Sequence, residues 1–155
     1  MIKVTAAAAA ILAGAVGAAA VLTHGFKTPI RAVYHEAAVF RLHPGQCLNL
    51  PNGSSLTVVS CTAPHDVEVS GTFTLPGPAW PGPAAVRQEA SLGCGALLAQ
   101  YLDPQFATEL EQSFVYPDQA DWDGGTRTVV CEVRAASGQL TQPVRAATAS
   151  PGAVG

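Results

Sequence analysis

Apolar residues recur every three or four positions between Pro83 and Leu102. They lie at Val86, Ala90, Cys94, Leu97 and Tyr101. This spacing predicts a helix with one buried face, and a proline is well tolerated in its first turn. Gly93 and Gly95 flank Cys94 in that helix. Glycine is unfavourable inside a helix, so we expect these two positions to allow the close approach of another backbone.

A strict alternation of apolar and polar residues predicts a strand from Val67 to Leu75. Its expected buried face carries Val67, Val69, Phe73 and Leu75, and its expected exposed face carries Glu68, Ser70, Thr72 and Thr74. The segments CLNL and LTVVSC flank an Asn52-Gly53 turn dipeptide and predict a hairpin. Two further strands are predicted at 114–116 and 126–134, and a short helix from Asp103-Pro104 to about Gln112. The predicted fold is therefore α+β, a small antiparallel sheet packed against one main helix.

The run from Val4 to Leu22 contains no charged residue and follows Lys3. It is typical of an export segment. It is long enough to span a bilayer, and its alanines from Ala18 to Ala20 also suit signal cleavage. Both a membrane anchor and a cleaved signal remain open, and both place the rest of the chain outside the cytoplasm. The domain is accordingly predicted at the membrane on its extracytoplasmic side, or secreted if the signal is cleaved.

These patterns divide the chain into four parts. Residues 1–25 are the signal or signal-anchor segment, 26–43 a juxtamembrane linker, 44–140 the extracytoplasmic domain and 141–155 a tail. The tail is rich in small and turn-forming residues without apolar periodicity and is predicted to be disordered.

Charge is distributed unevenly along the chain. Residues 1–43 carry a net charge of +3, whereas residues 44–140 carry three arginines against ten acidic residues, a net charge of −7. Phosphate backbones are recognised by clustered lysine and arginine, which this acidic domain lacks. Nucleic acid is therefore excluded as a partner. We expect instead an envelope or membrane protein partner, with membrane contact through the N-terminal segment.

Four cysteines follow the export segment, at Cys47, Cys61, Cys94 and Cys131. An oxidising compartment favours disulfides, and no CxxC spacing indicates a zinc or redox site. Cys47 and Cys61 lie at the two ends of the predicted hairpin, which favours a bridge between them. Cys94 with Cys131 then connects the main helix to the last strand. Two such bridges compensate for a small core rich in alanine, glycine and proline.

The segment Pro64-His65-Asp66-Val67-Glu68 is the most chemically suggestive cluster, because a histidine beside carboxylates can bind a metal or act as a general base. On a strand, however, Asp66 and Glu68 share a face and His65 points elsewhere. No nucleophile or second ligand pair accompanies them. We therefore expect His65 to hydrogen-bond the loop, and we predict neither a catalytic residue, nor a metal site, nor a cofactor.

Two other groups of residues have a structural explanation. Asp121-Trp122-Asp123 lacks the spacing of a calcium loop and is predicted to be a turn that seats Trp122. His24, His35 and His43 follow no repeating interval and are expected to be solvated.

Several spaced elements follow one another along the predicted domain. They are the segments PGQC at 44–47, VVSCTAPHDVEV at 58–69 and GTFTLP at 71–76, followed by Cys94, Trp122, Gly125-Thr126-Arg127 and Cys131. This pattern resembles the actinobacterial septum formation domain family. The residues of this motif include Pro64, His65, Glu68, Trp122, Gly125 and Arg127. Gln46 departs from the aspartate that the family often has there. The resemblance covers about residues 44–140.

The resemblance implies a role in cell division or envelope assembly and implies no reaction. Together with the export segment, it predicts a non-catalytic binding or assembly module of the bacterial cell envelope. The alternative is a metal-dependent hydrolase centred on Pro64, His65, Asp66 and Glu68. A redox protein that uses its cysteines is disfavoured by their wide spacing.

Overall fold

The computed structural model describes residues 30–31, 38–50 and 56–147. The predicted export segment and the hairpin turn at 51–55 lie outside these residues. The six strands are β1 (Ile30–Arg31), β2 (Cys47–Asn49), β3 (Thr57–Val59), β4 (Val67–Thr74), β5 (Leu110–Val115) and β6 (Thr128–Ala135). The helices are α1 (Pro83–Tyr101) and α2 (Gln119–Asp123), with 3-10 helices at Val39–Arg41 and Pro104–Phe106.

The strands form one sheet in the order β1-β5-β6-β4-β2-β3. Five strands pair antiparallel, which confirms the predicted α+β class, and β1 adds a short parallel strand beside β5. The helix α1 packs on one face of this sheet, here called the helix face, against β4, β5 and β6. The opposite face is covered in part by the first 3-10 helix, which contacts β6.

The helix α1 begins at Pro83, as its apolar stripe predicts, and it buries Val86, Ala90, Cys94, Leu98 and Tyr101. Leu98 replaces the predicted Leu97 as the fully buried residue, while Leu97 packs at the edge of the core. The predicted helix reaching Gln112 is wrong. Only the 3-10 turn at Pro104–Phe106 forms, and β5 then begins at Leu110 because its residues pair with β6.

The strand β4 has its predicted position but not its predicted faces. Its register against β6 shifts between Val69 and Gly71, the mark of a β-bulge. Val67 and Val69 consequently pack on the opposite face, whereas Phe73 packs on the helix face. Glu68, predicted to be exposed, is fully buried because both faces of the sheet are covered.

Both predicted disulfides form, Cys47 with Cys61 and Cys94 with Cys131. The first joins the ends of the β2–β3 hairpin and the second joins α1 to β6. Cys94 and Cys131 are both fully buried within the main core cluster, beside Phe114. This bridge therefore fixes the helix on the middle of the sheet.

The packed domain extends beyond 44–140 at both ends. Val39 and Leu42, in the predicted linker 26–43, are buried on the opposite face of the sheet. Residues 141–147, in the tail predicted to be disordered, include Val144 with only 1% of its surface exposed. Val144 packs with Leu110 and Leu140, so two apolar side chains anchor this segment to the core.

Gly93 allows a side chain, rather than a backbone, to approach α1. A methyl group at this position would lie 2.4 Å from Cζ of Phe73 and 2.7 Å from its Cε1. At Gly95 the nearest atom would be Oε1 of Gln112 at 3.9 Å, an ordinary contact.

The two glycines therefore predict opposite effects of alanine. We expect Gly93→Ala to lower the free energy of unfolding by about 1–2 kcal/mol, because displacing the Phe73 ring outweighs the better helix propensity of alanine. The matched control Gly95→Ala should raise it by roughly 0.5–1 kcal/mol. Urea unfolding of both variants measures the difference, and a stabilising Gly93→Ala would contradict the close ring contact.

Candidate functional site

His65 lies in the loop just before β4 and is held by three hydrogen bonds. Its backbone N–H donates to the Leu140 carbonyl oxygen and its carbonyl accepts from the Leu140 N–H, both at 2.9 Å. Its ring Nδ1 lies 2.8 Å from the Ala63 carbonyl oxygen. A carbonyl only accepts, so Nδ1 carries the proton in this bond. The ring is fully buried and serves the loop contact predicted for it.

Glu68 lies three residues after His65, on β4, and its carboxylate is on the helix face. The Tyr101 hydroxyl at the end of α1 donates to Oε1, and the Val144 backbone N–H donates to Oε2 at 3.0 Å. His65 Nε2 lies 3.9 Å from Oε2. We call His65, Glu68, Tyr101 and the Val144 amide the Glu68 cluster. Burial raises the pKa of the Tyr101 phenol, and the hydrogen bond to Glu68 raises it further, so this hydroxyl stays a donor.

The predicted orientation of these side chains is wrong in one respect. The ring of His65 approaches the carboxylate of Glu68, while Asp66 bonds to other partners, because His65 and Asp66 both precede β4 and do not follow its alternation. Asp66 accepts from the Leu50 backbone N–H at 2.7 Å and from the Gln139 side chain at 2.9 Å. Asp66 therefore fastens two loops, and Pro64 contributes its carbonyl oxygen to Asn49 at 3.3 Å.

The Cys47–Cys61 bridge lies beside the same carboxylate. A Glu68 oxygen and the two cysteine sulfurs lie within 4.8 Å of one another. Two cysteine thiolates and a carboxylate would be a plausible set of metal ligands, but Cys47 and Cys61 form a disulfide, whose sulfurs carry no thiolate charge. Glu68 is itself occupied by two donors. This arrangement therefore joins β2, β4, α1 and the C-terminal segment as a structural junction.

Trp122, Gly125 and Arg127 form a second group at the other end of the domain. The Arg127 guanidinium lies 3.8 Å from the centre of the Trp122 ring, and Trp80 meets that ring edge-on at 5.4 Å. Arg127 also donates to the carbonyl oxygens of Pro78 at 3.2 Å and of Trp122. We call Trp80, Trp122 and Arg127 the Trp122 cluster.

The Trp122 cluster fastens the proline-rich loop before α1 to the turn before β6. The Trp122 ring nitrogen donates to the Pro78 carbonyl oxygen at 3.1 Å. Gly125 has φ of +93°, a conformation that other residues rarely adopt. Because Arg127 donates to backbone oxygens and stacks on an indole, its role here is structural.

The acidic residues around Trp122 cap the short helix α2 where a turn was predicted. Asp118 accepts from the Asp121 backbone N–H at 2.9 Å, and Asp121 accepts from the Asp118 backbone N–H at 3.1 Å. This reciprocal capping box satisfies two backbone donors that would otherwise lack partners. It seats Trp122 in the core, where 2% of its surface is exposed.

Glu132 is a buried carboxyl group that the sequence does not reveal. It lies in the middle of β6 on the opposite face of the sheet, between Val69 on β4 and Ser113 on β5. The Ser113 hydroxyl donates to Oε2 at 3.2 Å, and Oε1 has no partner among the described residues. Burial raises the pKa of Glu132 from 4.5 to about 7, and the hydrogen bond from Ser113 and the charge of Arg134 limit this rise.

This shift predicts a stability that falls as pH rises. Between pH 4.5 and about 7 the folded domain keeps a proton on Glu132 that the unfolded chain has lost, so each step upward in pH favours unfolding. The window from 4.5 to about 7 corresponds to a loss of roughly 3 kcal/mol. The loss should be complete slightly above pH 7 because Glu132 is then ionised in both states.

Glu132→Gln keeps the shape of the protonated side chain and should remove this part of the pH dependence. We expect the variant to be more stable than the parent at pH 8 and to differ from it much less at pH 4.5. Urea unfolding at both pH values measures the free energy of unfolding of parent and variant. Glu109→Gln, at an exposed position, is the control. Parallel pH profiles of parent and Glu132→Gln would contradict the prediction.

Among the described residues, the motif side chains thus hold the domain together and none of them combines exposure with a chemically reactive arrangement. In that part of the chain, no helix is long and apolar enough to cross a membrane. Fold and site define a small α+β domain stapled by two disulfides and by buried polar clusters.

The model of the septum formation family matches residues 44–151. The chain belongs to this family. The match extends past the predicted domain end at 140 and includes the packed residues 141–147. No curated protein and no solved structure shows a significant match to the chain.

Proposed function

We propose that the chain is an exported, non-catalytic binding or assembly module of the bacterial cell envelope that acts in septum formation. Family membership supports the septal role. Two disulfides with no free cysteine among the described residues support an extracytoplasmic location, where such bonds persist. The N-terminal segment, as an anchor or a cleaved signal, would bring the domain there.

The non-catalytic proposal depends on one observation, which is that the Glu68 cluster is buried and its carboxylate oxygens already accept hydrogen bonds. His65 and Glu68 form the most reactive pair in the family motif, yet both are fully buried. Glu68 accepts from Tyr101 and from the Val144 backbone, so substrate would have to displace part of the fold. A binding surface needs no such opening, since exposed residues around these buried clusters are free to meet a partner.

Crosslinking in dividing cells tests the proposal. The full chain carries an epitope tag at its C-terminus, and the control joins its first 43 residues to an unrelated disulfide-bonded domain. We expect the chain to concentrate at division sites and to co-purify reproducibly with an envelope or division protein that the control does not retain. An even distribution together with the absence of any reproducible partner would reject the proposal.

Two further measurements separate the finer parts of the proposal. N-terminal sequencing of membrane and secreted fractions distinguishes an anchor from a cleaved signal. Metal analysis of the purified chain, with the His65→Ala variant tested for the septal phenotype, addresses a metal-dependent hydrolase. Bound metal in stoichiometric amount that His65→Ala loses would favour that enzyme over the binding module.

A further inference from the structure

The β2–β3 hairpin and the first 3-10 helix carry partly exposed apolar side chains on the opposite face of the sheet. Leu48 pairs with Val58 across the hairpin and is buried in the core of that face, so Val58 lies on the same face. Val58 is 56% exposed. Phe40, Leu50 and Leu56 are half-buried and pack against the same core. We call Phe40, Leu50, Leu56 and Val58 the hairpin patch. Contiguous exposed apolar side chains mark a contact with a protein or a membrane.

The charge around the hairpin patch differs from that of the rest of the domain. Residues 38–64 contain Arg41 as their one charged residue, and it is exposed next to Phe40. All ten acidic residues of the domain lie between Asp66 and Glu132. Asp66 contacts the end of β2, where both of its oxygens already accept hydrogen bonds. An anionic membrane surface therefore attracts the side of the domain that carries the hairpin patch and repels the remainder.

The predicted export segment, as an anchor, would hold the domain close to a bilayer. Its apolar run ends at Leu22, and the described structure begins eight positions later at Ile30. Eight extended residues span at most about 27 Å. With strands about 4.8 Å apart, a six-stranded sheet is about 24 Å wide, so every strand lies within reach of the surface. A short tether also gives a high effective concentration, and a contact made by few side chains is then sufficient.

We propose that the hairpin patch docks on the surface of the membrane that carries the N-terminal segment. Phe40 and Val58 contact the lipids at the level of the headgroups, and Arg41 lies beside an anionic headgroup. Buried apolar area together with a neighbouring cation is the combination that holds protein segments at a bilayer interface. Because α1 covers the other face of the sheet, it then points away from the bilayer, towards partners in the envelope. The inference rests on the proposed export and anchoring of the chain, and it adds the surface that orients the domain.

Quenching of tryptophan fluorescence by brominated lipids tests the proposal on the full chain, reconstituted into vesicles of equal parts phosphatidylcholine and phosphatidylglycerol. Val58→Trp places a reporter in the hairpin patch, and Leu92→Trp places one on α1 at a position that is 64% exposed. The parent chain supplies the background of its own tryptophans. We expect Val58→Trp to be quenched at least about threefold more than Leu92→Trp after this background is subtracted. The N-terminal segment holds both variants on the vesicle alike, so the difference reports the orientation of the domain.

Further variants test the extent of the patch and its charge. Phe40→Trp is a second reporter within the hairpin patch and should be quenched like Val58→Trp. Arg41→Glu and Arg87→Glu, each combined with Val58→Trp, make the same change of charge beside the patch and at an exposed position on α1. Arg41→Glu should reduce the quenching at least about twofold, whereas Arg87→Glu should leave it unchanged. In vesicles of phosphatidylcholine alone, this difference should largely disappear because the anionic headgroups are absent.

Three results would overturn the docking of the hairpin patch on the membrane. They are equal quenching at the two reporter positions, equal effects of the two glutamate variants, and an emission at Val58→Trp that shifts to the blue without quenching by lipid. The last result would show that a second copy of the chain covers the patch. If the reporters are not quenched but the chain reaches division sites and retains a partner, the docking fails while the proposed function stands. If the quenching is as expected but cells show no septal localisation or partner, the proposed function fails and the docking stands.

Discussion

Replacing both Cys94 and Cys131 with alanine is expected to lower the free energy of unfolding by about 4 kcal/mol or more. The bridge closes a sequence separation of 37 residues, and restricting the unfolded chain over such a loop contributes about 4 kcal/mol in the chain-entropy model. Both sulfurs are also fully buried in the main core cluster, so their removal leaves space that the core must refill. Because whole domains are stable by only about 5–15 kcal/mol, this variant should lose a large share of the stability of the domain and unfold at a much lower urea concentration.

The hairpin bridge supplies the matched control. It spans a sequence separation of 14 residues, and Cys47 is fully buried whereas Cys61 is only partly buried. The double alanine variant of Cys47 and Cys61 should lose about 3 kcal/mol from loop closure and less from packing than the variant of Cys94 and Cys131, in which both residues are fully buried. Urea unfolding without reductant ranks the two variants. A larger loss for the hairpin variant would contradict the central role of the bridge between α1 and β6.

The features predicted correctly are those with a strong local signal. The stripe from Val86 to Tyr101 places α1 because its apolar residues recur at helical spacing. The two disulfides follow from their positions on a hairpin, a helix and a strand. The helix stripe is read from residues that lie close together in sequence. The four cysteines allow only three pairings, so the positions of the elements that carry them suffice to choose one.

The two faces of β4 could not be predicted from alternation because the bulge reverses it. Gly71 is the signal that was available, since an isolated glycine in a strand often marks a bulge or a close approach. It faces Leu97 of α1, where a methyl group would lie 2.8 Å from Cδ1. Without this bulge, Phe73 and Val69 would share a face.

Burial of polar residues depends on which segments cover each face, and this is a property of the whole fold. Glu132 alternates with Val129, Cys131 and Val133 and is typical of an exposed position by pattern alone. The opposite face is covered by residues from the predicted linker, including Val39, which has no sequence pattern that links it to β6. Long-range packing likewise orders 141–147, a segment that its composition predicts to be disordered.

The variant Glu68→Ala tests which part of the domain depends on the buried carboxylate of the Glu68 cluster. Glu68→Ala removes the acceptor of two buried donors, the Tyr101 hydroxyl and the Val144 amide. Each orphaned buried donor costs about 1–3 kcal/mol. Because two neutral donors lose their acceptor, we expect Glu68→Ala to lower the free energy of unfolding by roughly 2–6 kcal/mol.

The structure predicts a local effect as well as a global one. In Glu68→Ala the Val144 amide has lost its acceptor, so its hydrogen exchange should accelerate beyond the change in global stability. Tyr101→Phe is the matched variant because it removes one donor and leaves the bond between Glu68 and Val144 in place. It should cost about 1.5–3 kcal/mol, the range of a hydrogen bond to a charged group, and should leave the Val144 amide protected.

Hydrogen exchange and urea unfolding of the two variants distinguish two roles of Glu68. It either anchors the C-terminal segment locally or only contributes to the stability of the whole core. If Glu68 anchors the C-terminal segment, exchange at Val144 changes in one variant and not in the other, while both lose global stability. Equal exchange in the two variants would show that α1 packing, rather than the carboxylate, orders residues 140–147.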